Sequence, residues 1–148
     1  HGKKHPQKAK VVGFKQILQS SSVQVVFRRE HIIKSGVLFD VMLGSGSGNG
    51  GGEDNKFLLD IKSRGLSVFY VPVQIGAVLP GESKWFDGFT KQNMLNRGWT
   101  SRRSLGFIKG LLFVAQFGVK HYKSYKNEMS LTKAYSYMLK GFFENRYN

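Results

Sequence analysis

Cysteine is absent from the chain. That removes disulfides, thiolate catalysis and thiolate-bound metals, and it suits a reducing compartment. Carboxylates are scarce: 9 Asp and Glu stand against 23 Lys and Arg, a formal net charge of +14. Such an excess needs an anionic partner or a solvated surface. Nucleic acid, anionic lipid and phosphorylated substrates all match it electrostatically. No apolar run reaches the roughly 20 residues that cross a bilayer; the strongly apolar stretch from Phe107 to Val119 also holds Lys109. The basic start, Gly2 to Lys8, is not followed by the apolar stretch of a secretory signal. The first residue is His1, which is expected of a processed chain, a piece of a longer one, or one led by an added residue. His1, His5, His31 and His121 have no metal-ligand spacing, and residue order alone supports no serine–histidine–aspartate arrangement. No internal repeat is visible. What remains possible is a domain: 148 residues with 41% hydrophobic content suffice for one modest core.

What the chain does have is a glycine run, Gly44 to Gly52, that ends on Glu53 and Asp54. Glycine lets the backbone take conformations closed to other residues and pass close to a ligand. Glu53 to Ser63 reads as a helix, with Phe57, Leu58 and Ile61 on one face, carboxylates at its start, Lys62 and Arg64 at its end and Gly65 as the stop. Upstream, residues 1–20 read as a lead-in with helical character near Phe14 to Leu18, broken by Ser20-Ser21-Ser22. Val23 to Arg28 reads as a strand and Arg29 to Ser35 as a short helix stopped by Gly36. Leu66 to Pro72 reads as a second strand, extended further from Val73 to Val78. Helix, glycine, strand is an α/β pattern. After an aromatic-bearing loop, Leu79 to Gly88, a short helix is expected over Lys91 to Arg97, ended by Gly98. The last segment, Ser130 to Glu144, is amphipathic with Leu131, Tyr135, Met138 and Phe142 on one stripe and Ser130 as N-cap.

The glycine run contains a literal G-x-G-x-x-G at Gly46, Gly48 and Gly51. It does not fit a dinucleotide cradle, because the helix that follows opens with two carboxylates that repel a pyrophosphate. No Gly-Lys-Ser/Thr is present either. The carboxylates themselves have two readings. They stabilise a helix N-terminus by about 0.3–1 kcal/mol, or an exposed aspartate takes a proton from a substrate hydroxyl as a general base.

Phe39-Asp40, Leu43-Gly44-Ser45-Gly46, Gly52-Glu53-Asp54-Asn55-Lys56-Phe57-Leu58 and Lys62-Ser63-Arg64-Gly65-Leu66-Ser67-Val68-Phe69-Tyr70-Val71-Pro72, in that order, resemble the C-terminal half of a family 2 glycosyltransferase of the bacterial polysaccharide type. Ser21 to Glu30 and Glu82-Ser83-Lys84-Trp85-Phe86-Asp87-Gly88 are similar to that subgroup as well, so the resemblance covers roughly residues 20–100. It implies an α/β fold, the C-terminal part of a GT-A (nucleotide-diphospho-sugar transferase) domain over 21–100, preceded by the lead-in 1–20 and followed by a helical, basic, amphipathic tail over 101–148. It also implies inverting transfer of a sugar from a nucleotide-sugar donor to a glycan or lipid-linked acceptor. Asp54 would be the base that deprotonates the acceptor, and Glu53 would orient the acceptor or hold the loop. Gly50, Gly51 and Gly52 would belong to a loop closing over donor and acceptor. Trp85 and Phe86 would offer an apolar face to a sugar ring or pack the loop on the sheet, and Glu82 would add a polar contact.

The family's nucleotide-binding half, with its Asp-x-Asp metal motif, has no counterpart in these residues. A divalent cation, Mg or Mn, is therefore expected for a full-length enzyme with ligands largely outside this chain, and no residue here is assigned to metal. The 148 residues alone are expected not to transfer sugar. The implied location is cytoplasmic, peripheral at the inner face of the plasma membrane. The tail supports a second expectation, because basic amphipathic helices lie in the headgroup region of anionic bilayers; the bland counterpart is two helices packed on the fold. A nucleic-acid-binding module competes on charge and on the 14% aromatic content, yet no RNP pattern, zinc spacing or basic recognition helix is present, and no nucleic acid is expected as a partner.

Overall fold

The computed structural model describes residues 6–44, 46–77, 86 and 88–146. The chain divides into two compact units, one from residues 1–40 and 53–81, the other from residues 41–52 and 82–148.

In the first unit, β1 (Lys10–Val11) pairs antiparallel with β2 (Phe69–Tyr70), Lys10 opposite Tyr70 and Val11 opposite Phe69. Between them in sequence come α1 (Phe14–Ile17), a 3₁₀ turn (Ser22–Gln24), α2 (Arg29–Ser35) and α3 (Glu53–Ser63). The core is Val12, Ile17, Val37, Phe57, Leu58 and Ile61. Three of these come from α3, whose apolar spacing turns one face inward while Glu53 and Asp54 occupy its first turn. Polar side chains then tie the lead-in to this helix. Asn55 Nδ2 donates to the carbonyls of Ile17 and Ser20 at 3.1 and 3.3 Å, and Lys62 Nζ donates to that of Val12 at 2.9 Å. Gly36 ends α2 in the left-handed conformation, φ 66°, as its position after the helix predicts.

The α/β expectation is overturned. The described residues are 55% helix and 3% strand, with a single two-stranded sheet among them, which is not a portion of a GT-A fold. Val23 to Arg28, expected as a strand, begins as the 3₁₀ turn and continues without ladder partners, leaving Val23, Val26 and Phe27 exposed. Of the span Leu66 to Pro72 only Phe69 and Tyr70 pair, and residues 71–77 carry no regular structure. β-branched content marks a segment that suits a pleated surface, but the ladder exists only where a second strand supplies its hydrogen bonds.

The second unit is helical. α4 (Lys91–Lys120) is capped by Thr90, whose hydroxyl accepts from the Asn93 N–H at 3.2 Å. It bends sharply at Gly106, where φ 74° and ψ −170° interrupt the helix. Only glycine takes such a conformation without strain. Gly98, expected to end a helix, instead lies buried inside α4. α5 (Tyr122–Tyr125) and α6 (Leu131–Phe143) follow, and Ser130 caps α6 as expected, accepting from Lys133 N–H at 3.3 Å. Met94, Val114, Phe117, Tyr125, Ala134, Met138 and Phe142 form its core. α4 and α6 cross at a pair of glycines: a Cβ on Gly98 would overlap the Met138 carbonyl, and one on Gly141 the Leu95 carbonyl. Backbone meets backbone there, which no larger side chain permits.

Candidate functional site

Asp54 is the second residue of α3 and Phe57 lies one turn further along it, so helical periodicity brings the two to one side. Phe39 stacks on Phe57 with ring centroids 4.1 Å apart and planes at 7°, and Phe27 leans on the same ring at 5.8 Å. Together with Ser22 and Val25 these residues line a shallow hollow of about 80 Å³. Phe27 and Phe39 remain about half exposed, so both present aromatic surface to solvent. The lining is largely apolar, with the Asp54 carboxylate as its charged group.

That setting alters Asp54. Partial burial pushes its pKa up, the adjacent Glu53 charge pushes it further the same way, and a hydrogen bond from the Ser22 backbone N–H opposes both. The net result is a carboxylate that holds a proton more readily than an exposed aspartate. Proton affinity nearer the working pH is what a general base needs. The half-exposed aromatic faces match the C–H face of a sugar ring, apolar on one side and hydroxyl-bearing at its edge.

The residues expected from sequence are distributed between the two units. Glu53 sits beside Asp54 in the first turn of α3, half-buried. Gly50, Gly51 and Gly52 belong to the helical unit, where Gly50 rests against Asn96, Gly52 against Thr100, and Gly51 is exposed. Their loop is held by its own bonds, Gly44 N–H to the Gly50 carbonyl at 2.9 Å and Ser47 Oγ to the Gly44 carbonyl at 2.8 Å. It is also held by Arg146, whose Nη1 donates to Asn49 Oδ1 at 3.0 Å and to Asn96 Oδ1 at 2.7 Å. Phe86 is exposed and packs edge-on against Phe89 at 5.0 Å. Glu82 and Trp85 lie outside the described residues. Sequence reasoning missed Ser22, Phe27 and Phe39 as companions of Asp54. Phe27 reads as part of a strand pattern and Phe39 as part of a family motif, and neither spacing reveals that both reach one ring.

Among the described residues no three His, Asp or Glu side chains gather into a metal-binding group. The divalent cation that the resemblance implies has no ligand set in them, and none of the chemistry below is routed through it.

A second electrostatic feature lies in the helical unit. Arg97 stacks its guanidinium over Phe117 at 4.1 Å, its Nε is buried without a hydrogen-bond partner, and burial pushes its pKa down to about 10. His121 stacks on the same ring at 4.4 Å, and burial, then the Arg97 and Lys120 charges, hold its pKa below the usual value. Arg97 thus buries its charge in an aromatic core without an acidic partner among the described residues, while the same surroundings favour the neutral form of His121, a packing arrangement rather than a proton relay.

Comparison with family models, with curated proteins and with solved structures finds no match to this chain.

Proposed function

We propose that this chain contributes the acceptor side of an inverting sugar-transfer site, with Asp54 as the base. The observation that carries the reading is a carboxylate of raised proton affinity at the mouth of an aromatic-lined hollow. The ordered motif series around Glu53-Asp54 supports it independently of the helical fold. Phe27 and Phe39 seat the apolar face of the acceptor sugar, which directs a hydroxyl at the Asp54 carboxylate. The hydroxyl gives its proton to that carboxylate as its oxygen attacks the anomeric carbon of the donor. The new C–O bond forms on one face while the bond to the nucleoside-diphosphate oxygen breaks on the other, so the configuration inverts. Glu53 keeps the Asp54 pKa raised, which is its contribution to the step. The donor half of the site is assigned to sequence beyond these residues.

The test is Asp54→Asn in the protein expressed from the complete reading frame. Loss of the base lowers kcat by about 10²–10⁴-fold with donor affinity unchanged. Turnover retained in the variant overturns the assignment.

A further inference from the structure

The arm of α4 beyond Gly106 has an outward face of exposed apolar side chains, bordered by Phe107, which packs on Phe142 of α6 at 5.7 Å. Taking about 100° per residue, Phe107, Leu111, Ile108, Val119 and Leu112 fall within an arc of about 140°. Ile108 is 73% exposed, Leu112 65% and Val119 66%. The buried positions Gly110 and Phe117 take the opposite side of the arm, while Val114 and Gly118 fall at the Phe107–Leu111 edge, where Gly118 meets Tyr135 of α6. On α6, Phe143 extends the same surface, 66% exposed and 6.2 Å from the Phe107 ring. Five large apolar side chains on one helix face plus a sixth beside them exceed the scattered exposure normal for a folded surface.

The charge around this face narrows what covers it. Residues 88–143 hold ten Lys and Arg and one carboxylate, Glu128. Gln116, Lys109 and Lys120 follow the apolar arc on one border by the same 100° spacing. Arg102 lies 5.1 Å from the Phe107 ring at the kink. A second copy of the chain would bring one set of cations against another. Among the described residues no helix is long and apolar enough to cross a membrane. Apolar residues on one face, cations along its border and no membrane-spanning length are the pattern of a helix lying in the headgroup layer, where lysine stems reach from the apolar boundary to phosphates.

We infer that the outward face of the second arm of α4, with Phe143, docks the helical unit on an anionic lipid surface. This is independent of the sugar-transfer reading and survives its failure. The test is co-sedimentation of the full chain with phosphatidylglycerol-containing vesicles and with pure phosphatidylcholine vesicles. Binding is expected to the first at low salt and to be much weaker to the second. Ile108→Ser/Leu112→Ser, confined to exposed side chains and checked for unchanged helicity by circular dichroism, is expected to weaken partitioning about ten-fold or more. Lys120→Gln is expected to weaken binding to the anionic vesicles and leave the residual binding to phosphatidylcholine unchanged. Three results would each overturn the inference. The parent chain sediments with neither vesicle at low salt, the serine variant binds as the parent does, or the parent binds no vesicle and forms a dimer that the serine variant loses.

Discussion

Asp54 responds to opposing influences: burial and Glu53 favour its protonated form, while the Ser22 N–H favours the carboxylate. Because its folded pKa lies above the ordinary 3.8, the folded chain keeps a proton that the unfolded chain has already released across that window. Stability therefore falls as pH rises from 3.8 through the folded value, then stays at the lower level. Asparagine has no proton to lose. Asp54→Asn is expected to melt higher than the parent at neutral pH, with the difference closing as pH falls below 3.8, read by thermal melts along a pH series. A variant that gains nothing at neutral pH would show that the hollow does not penalise the charge. The substitution that abolishes the proposed chemistry thus stabilises the unit that carries it, the usual relation between a strained functional group and its scaffold.

Elements differ in how much of them is written locally. Helices α2, α3 and α6 are legible from sequence because several short-range signals coincide: apolar spacing, acidic first turns, a serine cap, a glycine stop. The expected strands are not, because a strand is completed by a partner elsewhere in the chain and Val23 to Arg28 has none. Asp54 is visible from its place after the glycine run, whereas Phe27 and Phe39 join it only through the Phe57 ring. Gly98 reads as a stop for the same local reason, and only its contact with α6 shows that it serves packing. That contact is testable. Gly98→Ala places a methyl on the Met138 carbonyl and forces the helices apart, costing about 1–3 kcal/mol or more, measurable by denaturant unfolding. Gly141→Ala acts on the reciprocal contact with Leu95. The double variant is expected to cost less than the sum, since the first methyl already separates the crossing.

At the scale of the whole molecule, the carboxylates are unevenly spaced along the chain. Glu30, Asp40, Glu53, Asp54 and Asp60 all lie in the first unit, while the helical unit is almost purely cationic from residue 88 to 143. Both units are net cationic, with 11 Lys and Arg against 5 carboxylates in the first and 12 against 4 in the second, so long-range attraction to an anionic surface is shared between them, and salt weakens it. Within the helical unit Arg146 holds the glycine loop through Asn49 and Asn96 and ion-pairs with Glu144 at 2.7 Å. Arg146→Ala removes charge-assisted bonds of about 1.5–3 kcal/mol in all. Amide hydrogen exchange over residues 46–50 is expected to speed up by about ten-fold or more, with α6 unaffected. Unchanged exchange would mean that the loop's own bonds suffice.

The bond from Arg146 to Asn49 joins residues 97 apart in the chain. During synthesis at about 5–20 residues per second, the arginine follows the loop by about 5–20 s. For that interval the loop has been made but cannot be secured, and so it is among the last parts of the molecule to take its final form. Any partner that grips the loop early has that window in which to do so. Once the C-terminal residues arrive, it must compete with a guanidinium already in place.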